Sequence, residues 1–222
     1  MHTTLYGTIN APLYVYENGE KKLNITDYAI KEFQNKYKDK ATAENIFAYC
    51  HAVLSSPKYQ KEYEENLKID YPRIPLYKNF DRFVELGKRL IKLQTEFENV
   101  EPNKDLKIEK DFKYMPEDFS MIKLNKEKGI IIFDGKNRIE NIPKKAFDYK
   151  IGTRSALDWI IDYYKPKKLN PQKELHHKTL IENGLNSYDY KNIREYLFEL
   201  IPKVINISVE TVDIFKELEK LN

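Results

Sequence analysis

The sequence predicts an α+β fold in which predominantly helical lobes flank a small antiparallel β module. Three observations lead there. Apolar residues recur at a helical period from Thr26 to Phe97 and again after Ser155. The stretch between, residues 106–151, breaks into short apolar runs separated by hairpin-type turns. The chain has 222 residues, 41% apolar and 33% charged, enough to bury a core in one large domain or two small lobes.

Taken in order, residues 3–16 alternate apolar positions (Leu5, Ile9, Leu13, Val15) around Gly7 and Pro12, as one or two short edge strands would. Asn18-Gly19 is a turn signal. Thr26 opens a helix through Ile30, Phe33 and Tyr37, and Thr42 is placed to cap a second through Ile46, Tyr49 and Val53. Ser56-Pro57 restarts a helix over residues 58–67, with Pro at the first helical position. Two prolines three apart, Pro72 and Pro75, then require an extended, stiff connector. Phe80, Phe83, Val84, Gly87, Leu90, Ile91 and Phe97 share one face of the clearest helix in the chain.

In the β module, Met121 to Leu124, Ile130 to Phe133 and Arg138 to Ile142 read as strands. They are joined by the turns Lys126-Glu127-Lys128-Gly129 and Asp134-Gly135-Lys136-Asn137. Gly152-Thr153-Arg154-Ser155 leads into a helix over residues 156–164, residues 165–188 read as a polar loop, and two final helices are expected over 190–204 and 209–221. The organisation is then a strand-like segment (1–24), a helical lobe (25–103), the β module (104–151) and a C-terminal helical part (152–222).

No run of 18 apolar residues exists, and the N-terminus lacks a basic-then-apolar leader, which points to the cytoplasm. Cys50 is the sole cysteine, so internal disulfides and cysteine-based zinc fingers are excluded. Net charge is only +3, but residues 104–154 hold 13 cations against 9 acids, so the basic balance sits in the β module and its flanks.

Catalytic signatures are missing. There is no phosphate-binding loop, no Gly-x-Gly-x-x-Gly, no Gly-x-Ser-x-Gly, and Asn170-Pro171-Gln172-Lys173 lacks the second proline and aromatic of an adenine methyltransferase motif. Glu20-Lys21-Lys22 has no partner acid for a nuclease site. His176-His177 has no third ligand at helical spacing, and Cys50 and His51, as helix neighbours, do not face each other. The 17 tyrosines and 11 phenylalanines fall mostly on apolar helix faces and read as core rather than as a base-stacking platform.

Three blocks stand out together: Glu44-Asn45-Ile46-Phe47-Ala48-Tyr49-Cys50-His51-Ala52-Val53-Leu54-Ser55-Ser56-Pro57-Lys58-Tyr59, then Ile69-Asp70-Tyr71-Pro72-Arg73-Ile74-Pro75-Leu76, then Ile142-Pro143 with Tyr149-Lys150-Ile151-Gly152-Thr153-Arg154-Ser155-Ala156-Leu157-Asp158-Trp159. In order and spacing they resemble the C-terminal specificity domain of type ISP restriction-modification enzymes and related single-chain restriction–methylation proteins, over most of the chain from Ile25 to Val212. The resemblance implies a target recognition domain for double-stranded DNA that is not an enzyme by itself. Its partners would be methyltransferase, ATPase and nuclease domains upstream, and S-adenosylmethionine, ATP and Mg²⁺ would serve the intact enzyme. Residues 1–24 would join the methyltransferase body.

Base readers and phosphate anchors are therefore sought among exposed cations and amides. Lys136, Asn137 and Arg138 occupy an expected hairpin tip, which the same residues would also form as an ordinary solvated turn. Lys144 and Lys145 open an expected short helix after Pro143, where phosphate contact fits. Arg154, Ser155 and Arg73 lie inside the family-like blocks and so read as scaffold or phosphate anchors. Specificity residues are expected in 104–138 and 170–190. The competing reading is a protein-interaction module docking through the helix Phe80 to Phe97.

Overall fold

A computed structural model describes residues 11–114, 122–164 and 190–221. The expected strand residues before Ala11, the expected strand position Met121 and the whole of the expected 165–188 loop, with His176-His177, lie outside the described residues. The chain divides into two compact units, one of residues 1–92 with 214–222 and the other of residues 93–213.

In the first unit, β1 (Tyr14–Glu17) and β2 (Glu20–Leu23) form an antiparallel hairpin. Asn18 and Gly19 both take positive φ, 53° and 84°, the geometry of a tight turn that matches strand twist. The second strand was not expected, because Glu-Lys-Lys-Leu has no apolar alternation and is exposed throughout. Four helices follow, and the first two are capped where the sequence puts the caps. In α1 (Asp27–Tyr37) the Thr26 hydroxyl accepts from the Ala29 amide, and in α2 (Ala43–Ser55) Thr42 accepts from Asn45. Pro57 starts α3 (Pro57–Glu62), a break at Tyr63 separates it from α4 (Glu64–Ile69), and no regular element occupies residues 70–78.

α5 (Phe80–Thr95) buries Phe80, Phe83, Val84 and Leu90. Tyr37 stacks on Phe80 with ring centroids 4.2 Å apart, and Phe33 and Tyr49 pack around them. Tyr49 is fully buried, donates to the Pro75 carbonyl at 2.6 Å and accepts from the Tyr77 amide at 2.7 Å, which pins the connector to α2. The expected core role fails for Phe97, which is 40% exposed in a 3-10 turn beyond α5.

The second unit is built on a four-stranded antiparallel sheet in the order β3 (Lys107–Glu109), β6 (Arg138–Glu140), β5 (Ile130–Ile132), β4 (Lys123–Asn125). Ile131 and Ile139, paired in register, point inward with Phe133. They share one core with Leu157 and Ile161 of α6 (Ala156–Tyr164) and with Leu197, Ile201 and Ile205 of α7 (Tyr190–Leu221). Between sheet and α6 lies a two-stranded hairpin, β7 (Lys150–Ile151) and β8 (Arg154–Ser155).

The two final helices expected from the sequence are one. Ile205, Ile207 and Ser208 are buried across the expected gap, and the Ser208 hydroxyl returns a bond to the Val204 carbonyl at 2.7 Å. Tertiary burial overrides the weak helix propensity of Asn206 and Ser208. Pro202 lies inside this helix, and its carbonyl accepts from the Asn103 amide at 3.1 Å.

Candidate nucleic-acid interface

Asp134-Gly135-Lys136-Asn137 links β5 to β6, as the sequence indicates, but it is not a solvated tip throughout. The Asp134 carboxylate accepts from the amides of Lys136 and Asn137, both at 2.9 Å, an Asx-type turn. Asn137 is fully buried. Its carboxamide donates to both Asp134 oxygens, at 2.8 and 2.9 Å, and its oxygen accepts from the Asp111 amide at 2.7 Å. Arg194 of α7 completes the cluster from the interior, reaching Asp134 at 3.2 Å and the carbonyls of Tyr114 and Phe112 at 2.9 Å each. A carboxamide with its donors and acceptor engaged inside the fold has no edge to offer a base, so Asn137 is the latch of the turn and not a reader. The neighbours do face solvent: Lys136 stands over the Tyr114 ring at 5.2 Å with Asp111 at 3.4 Å, and Arg138 is half exposed.

Arg138 lies on the outer face of the sheet within a network of alternating charge. It meets Glu109 at 2.6 Å across the strands and Glu140 at 3.1 Å, while Lys107 meets Glu109 at 2.9 Å and Glu140 at 3.2 Å. The Lys107 ammonium, aided by the Arg138 guanidinium, holds the Glu109 carboxyl below its ordinary range. Exposed pairs of this kind are weak and exchange readily for a phosphate or a base edge. In register beside Arg138 is Ile132, 38% exposed, and beyond it Lys123. Lys107, Glu109, Lys123 and Ile132 fall within the expected specificity segment 104–138 without being singled out by the sequence, and Glu140 lies just beyond it. The signal was present: Lys107-Ile108-Glu109 and Arg138-Ile139-Glu140 repeat one charge–apolar–charge pattern with the charges on one face.

The remaining candidates divide. Lys144 is exposed, and Lys145 is half-buried against Asp213 at 2.5 Å. The expected helix there is a single 3-10 turn, Lys144–Phe147, too short for a helix-terminus anion site. Ser155 is buried. Its hydroxyl donates to the Asp158 carboxylate at 2.7 Å and accepts from the Asp158 amide at 3.2 Å, a capping box for α6. Burial acts to raise the Asp158 carboxyl, but Lys126 and Ser155 hold it below its ordinary value. Ser155 is therefore scaffold. Arg154 packs over the Trp159 ring at 4.8 Å, donates to the Asp158 carbonyl at 3.1 Å and meets Asp162 at 3.2 Å.

Arg73, in the first unit, has its side chain 92% exposed beside Asp70 at 3.4 Å, while its carbonyl accepts from Tyr59 at 2.8 Å. Its backbone holds the connector and its guanidinium is available. α5 turns its large apolar side chains into the first unit's core, so it presents no apolar stripe for docking. Among the described residues no group of three or more His, Cys, Asp or Glu side chains is arranged to hold a metal ion, and no helix is long and apolar enough to cross a membrane. The expected reading segment 170–190 lies, but for Tyr190, outside the described residues.

The family model of the type ISP C-terminal specificity domain matches residues 1–200. No curated protein matches the chain by sequence. Among solved structures the chain is similar to DrdV in a cryo-electron-microscopy DrdV–DNA complex, with 34% identity and a TM-score of 0.79 over 93% of this chain and 21% of that one. It is also similar to a nuclease-deletion mutant of the type ISP restriction-modification enzyme LlaGI in complex with a DNA substrate mimic, at 28% identity and a TM-score of 0.68 over 93% of this chain and 17% of that one. It shares its fold with the ATP-dependent type ISP enzyme LlaBIII bound to DNA, at 24% identity and a TM-score of 0.74 over 95% of this chain and 14% of that one. The chain thus spans between 14% and 21% of the length of these relatives.

Proposed function

The chain belongs to the type ISP C-terminal specificity domains, and from that premise we propose that it recognises a double-stranded DNA sequence on behalf of catalytic domains outside it. The observation that carries this reading is the likeness over 93% of the chain to DrdV in its DNA complex, at 34% identity. Adenine-N6 methylation and cleavage, with their needs for S-adenosylmethionine, ATP and Mg²⁺, belong in this reading to the methyltransferase, ATPase and nuclease domains of the intact enzyme. The cytoplasm is where such an enzyme would act.

Direct readout falls to exposed donors on the β module, chiefly Arg138 and Lys136, with Lys107 and Lys123 on the same sheet. Arginine or lysine suits guanine O6 and N7 in the major groove. Lys144, Lys145, Arg154 and Arg73 take the sequence-independent phosphate contacts, Lys145 and Arg154 by exchanging surface carboxylate partners. The test is methylation across a library of sites by the intact enzyme. Arg138→Ala should relax preference at one or two positions by about 1–3 kcal/mol each, whereas Lys144→Ala should weaken all sites alike. An unchanged preference in Arg138→Ala would move base reading off the sheet.

A further inference from the structure

The β7–β8 hairpin is held more firmly than its size requires. Four residues make the strands, Gly152 and Thr153 make the loop, and Gly152 takes φ 67° with open space around its Cα. So small a ribbon has little stability of its own. Here the Trp159 indole N–H donates to the Ile151 carbonyl at 2.9 Å, and Arg154 of the second strand lies over the same indole ring. The Ala156 amide closes the base by donating to the Tyr149 carbonyl at 3.2 Å.

This bracing displays an apolar side chain outward. Ile151 is 51% exposed and Trp159 is 46% exposed, and Lys150, Gly152 and Thr153 are exposed beside them. Residues 141–155 carry four cations, Lys144, Lys145, Lys150 and Arg154, against one acid, Asp148. A braced ribbon that carries Lys150 and Arg154 and one outward aliphatic side chain complements a sugar–phosphate backbone. Ammonium and guanidinium groups meet the phosphates, and the aliphatic group meets the apolar face of a deoxyribose.

We propose that the Lys150–Ser155 hairpin is a sequence-independent anchor on the duplex backbone, with Trp159 as its positioning residue. The proposal rests on the DNA-recognition reading and adds to it a specific contact element. Trp159 is the sole tryptophan of the chain, so its emission reports on this hairpin alone.

The experiment titrates the unmodified chain with a dye-labelled duplex at low salt, following dye anisotropy and, in parallel, acrylamide quenching of Trp159. Binding should lower the quenching constant at least twofold along the same isotherm. Lys150→Ala and Ile151→Ala should each weaken binding severalfold for every duplex tested, without altering sequence preference. Duplex binding by anisotropy with Trp159 quenching unchanged would overturn the anchor while leaving DNA recognition intact. A changed sequence preference in Ile151→Ala would also overturn it, making the hairpin a base reader. Loss of anisotropy change in the unmodified chain would remove the DNA reading itself, a separate and distinguishable result.

Discussion

Asp134 and Arg194, sixty positions apart, form a fully buried ion pair at 3.2 Å, and Asn137 occupies both oxygens of the same carboxylate. The carboxylate accepts two backbone amides, one carboxamide and one guanidinium, and the guanidinium also holds two backbone carbonyls. Burying charge is tolerated only with such saturation. The consequence is geometric: the turn that sets Lys136 and Arg138 on the surface is fastened to the unit's long helix.

Asn137→Ala should therefore destabilise the protein, on the order of 3 kcal/mol, because it strips donors from a buried carboxylate and orphans the Asp111 amide. Lys136→Ala, one residue away and exposed, should stay within about 0.5 kcal/mol of the unmodified chain. Urea denaturation of the two variants side by side checks this. Equal stabilities would mean that Asn137 is not the latch.

The contrast between these neighbours also marks what a sequence reader can and cannot see. Thr26, Thr42, Ser56-Pro57 and Asn18-Gly19 act within three or four residues, so caps and turns were legible. The β5–β6 turn was legible as a turn, yet the partner that buries it, Arg194, lies on a distant helix and has no local signature. The same holds for β3, whose three residues Lys-Ile-Glu become a strand only by pairing with β6. The continuity of α7 was hidden because Asn206 and Ser208 favour a break locally and are overruled by burial. Residues that turned out buried, Asn137 and Ser155, are short polar side chains whose partners decide whether they face in or out.

Gly87 illustrates packing that propensity alone would misjudge. A Cβ there would sit 1.9 Å from the Ala48 carbonyl oxygen and 2.7 Å from its carbon, so α5 and α2 touch backbone to backbone. Gly87→Ala gains about 1 kcal/mol of helix propensity. The clash is with backbone that cannot rotate away, so the net effect should still be a loss of about 1–3 kcal/mol in chemical denaturation. A stabilised variant would show that the helices can slide apart at no cost.

Burial pushes the Cys50 thiol up to about 11. At pH 8 the native chain should react with an aromatic disulfide reagent on the order of a hundredfold more slowly than the urea-unfolded chain, whose thiol ionises near 8.5. The sign for stability follows from the same shift. Well below pH 8.5 both states hold the proton and Cys50 costs nothing, and as pH rises through 8.5 towards 11 the unfolded state deprotonates first, so stability falls. Comparable native and unfolded reaction rates at pH 8 would contradict the burial.

The most direct measurement of DNA recognition is the salt dependence of duplex binding by this chain. Each neutralised phosphate contributes about −0.9 to the slope of log affinity against log salt. With Lys144, Lys145, Lys150 and Arg154 as phosphate contacts, the slope should reach about −3 or steeper, and Lys144→Ala should make it shallower by about one unit. A flat dependence, or no binding to any duplex at low salt, would contradict the assignment of this chain as a DNA recognition domain.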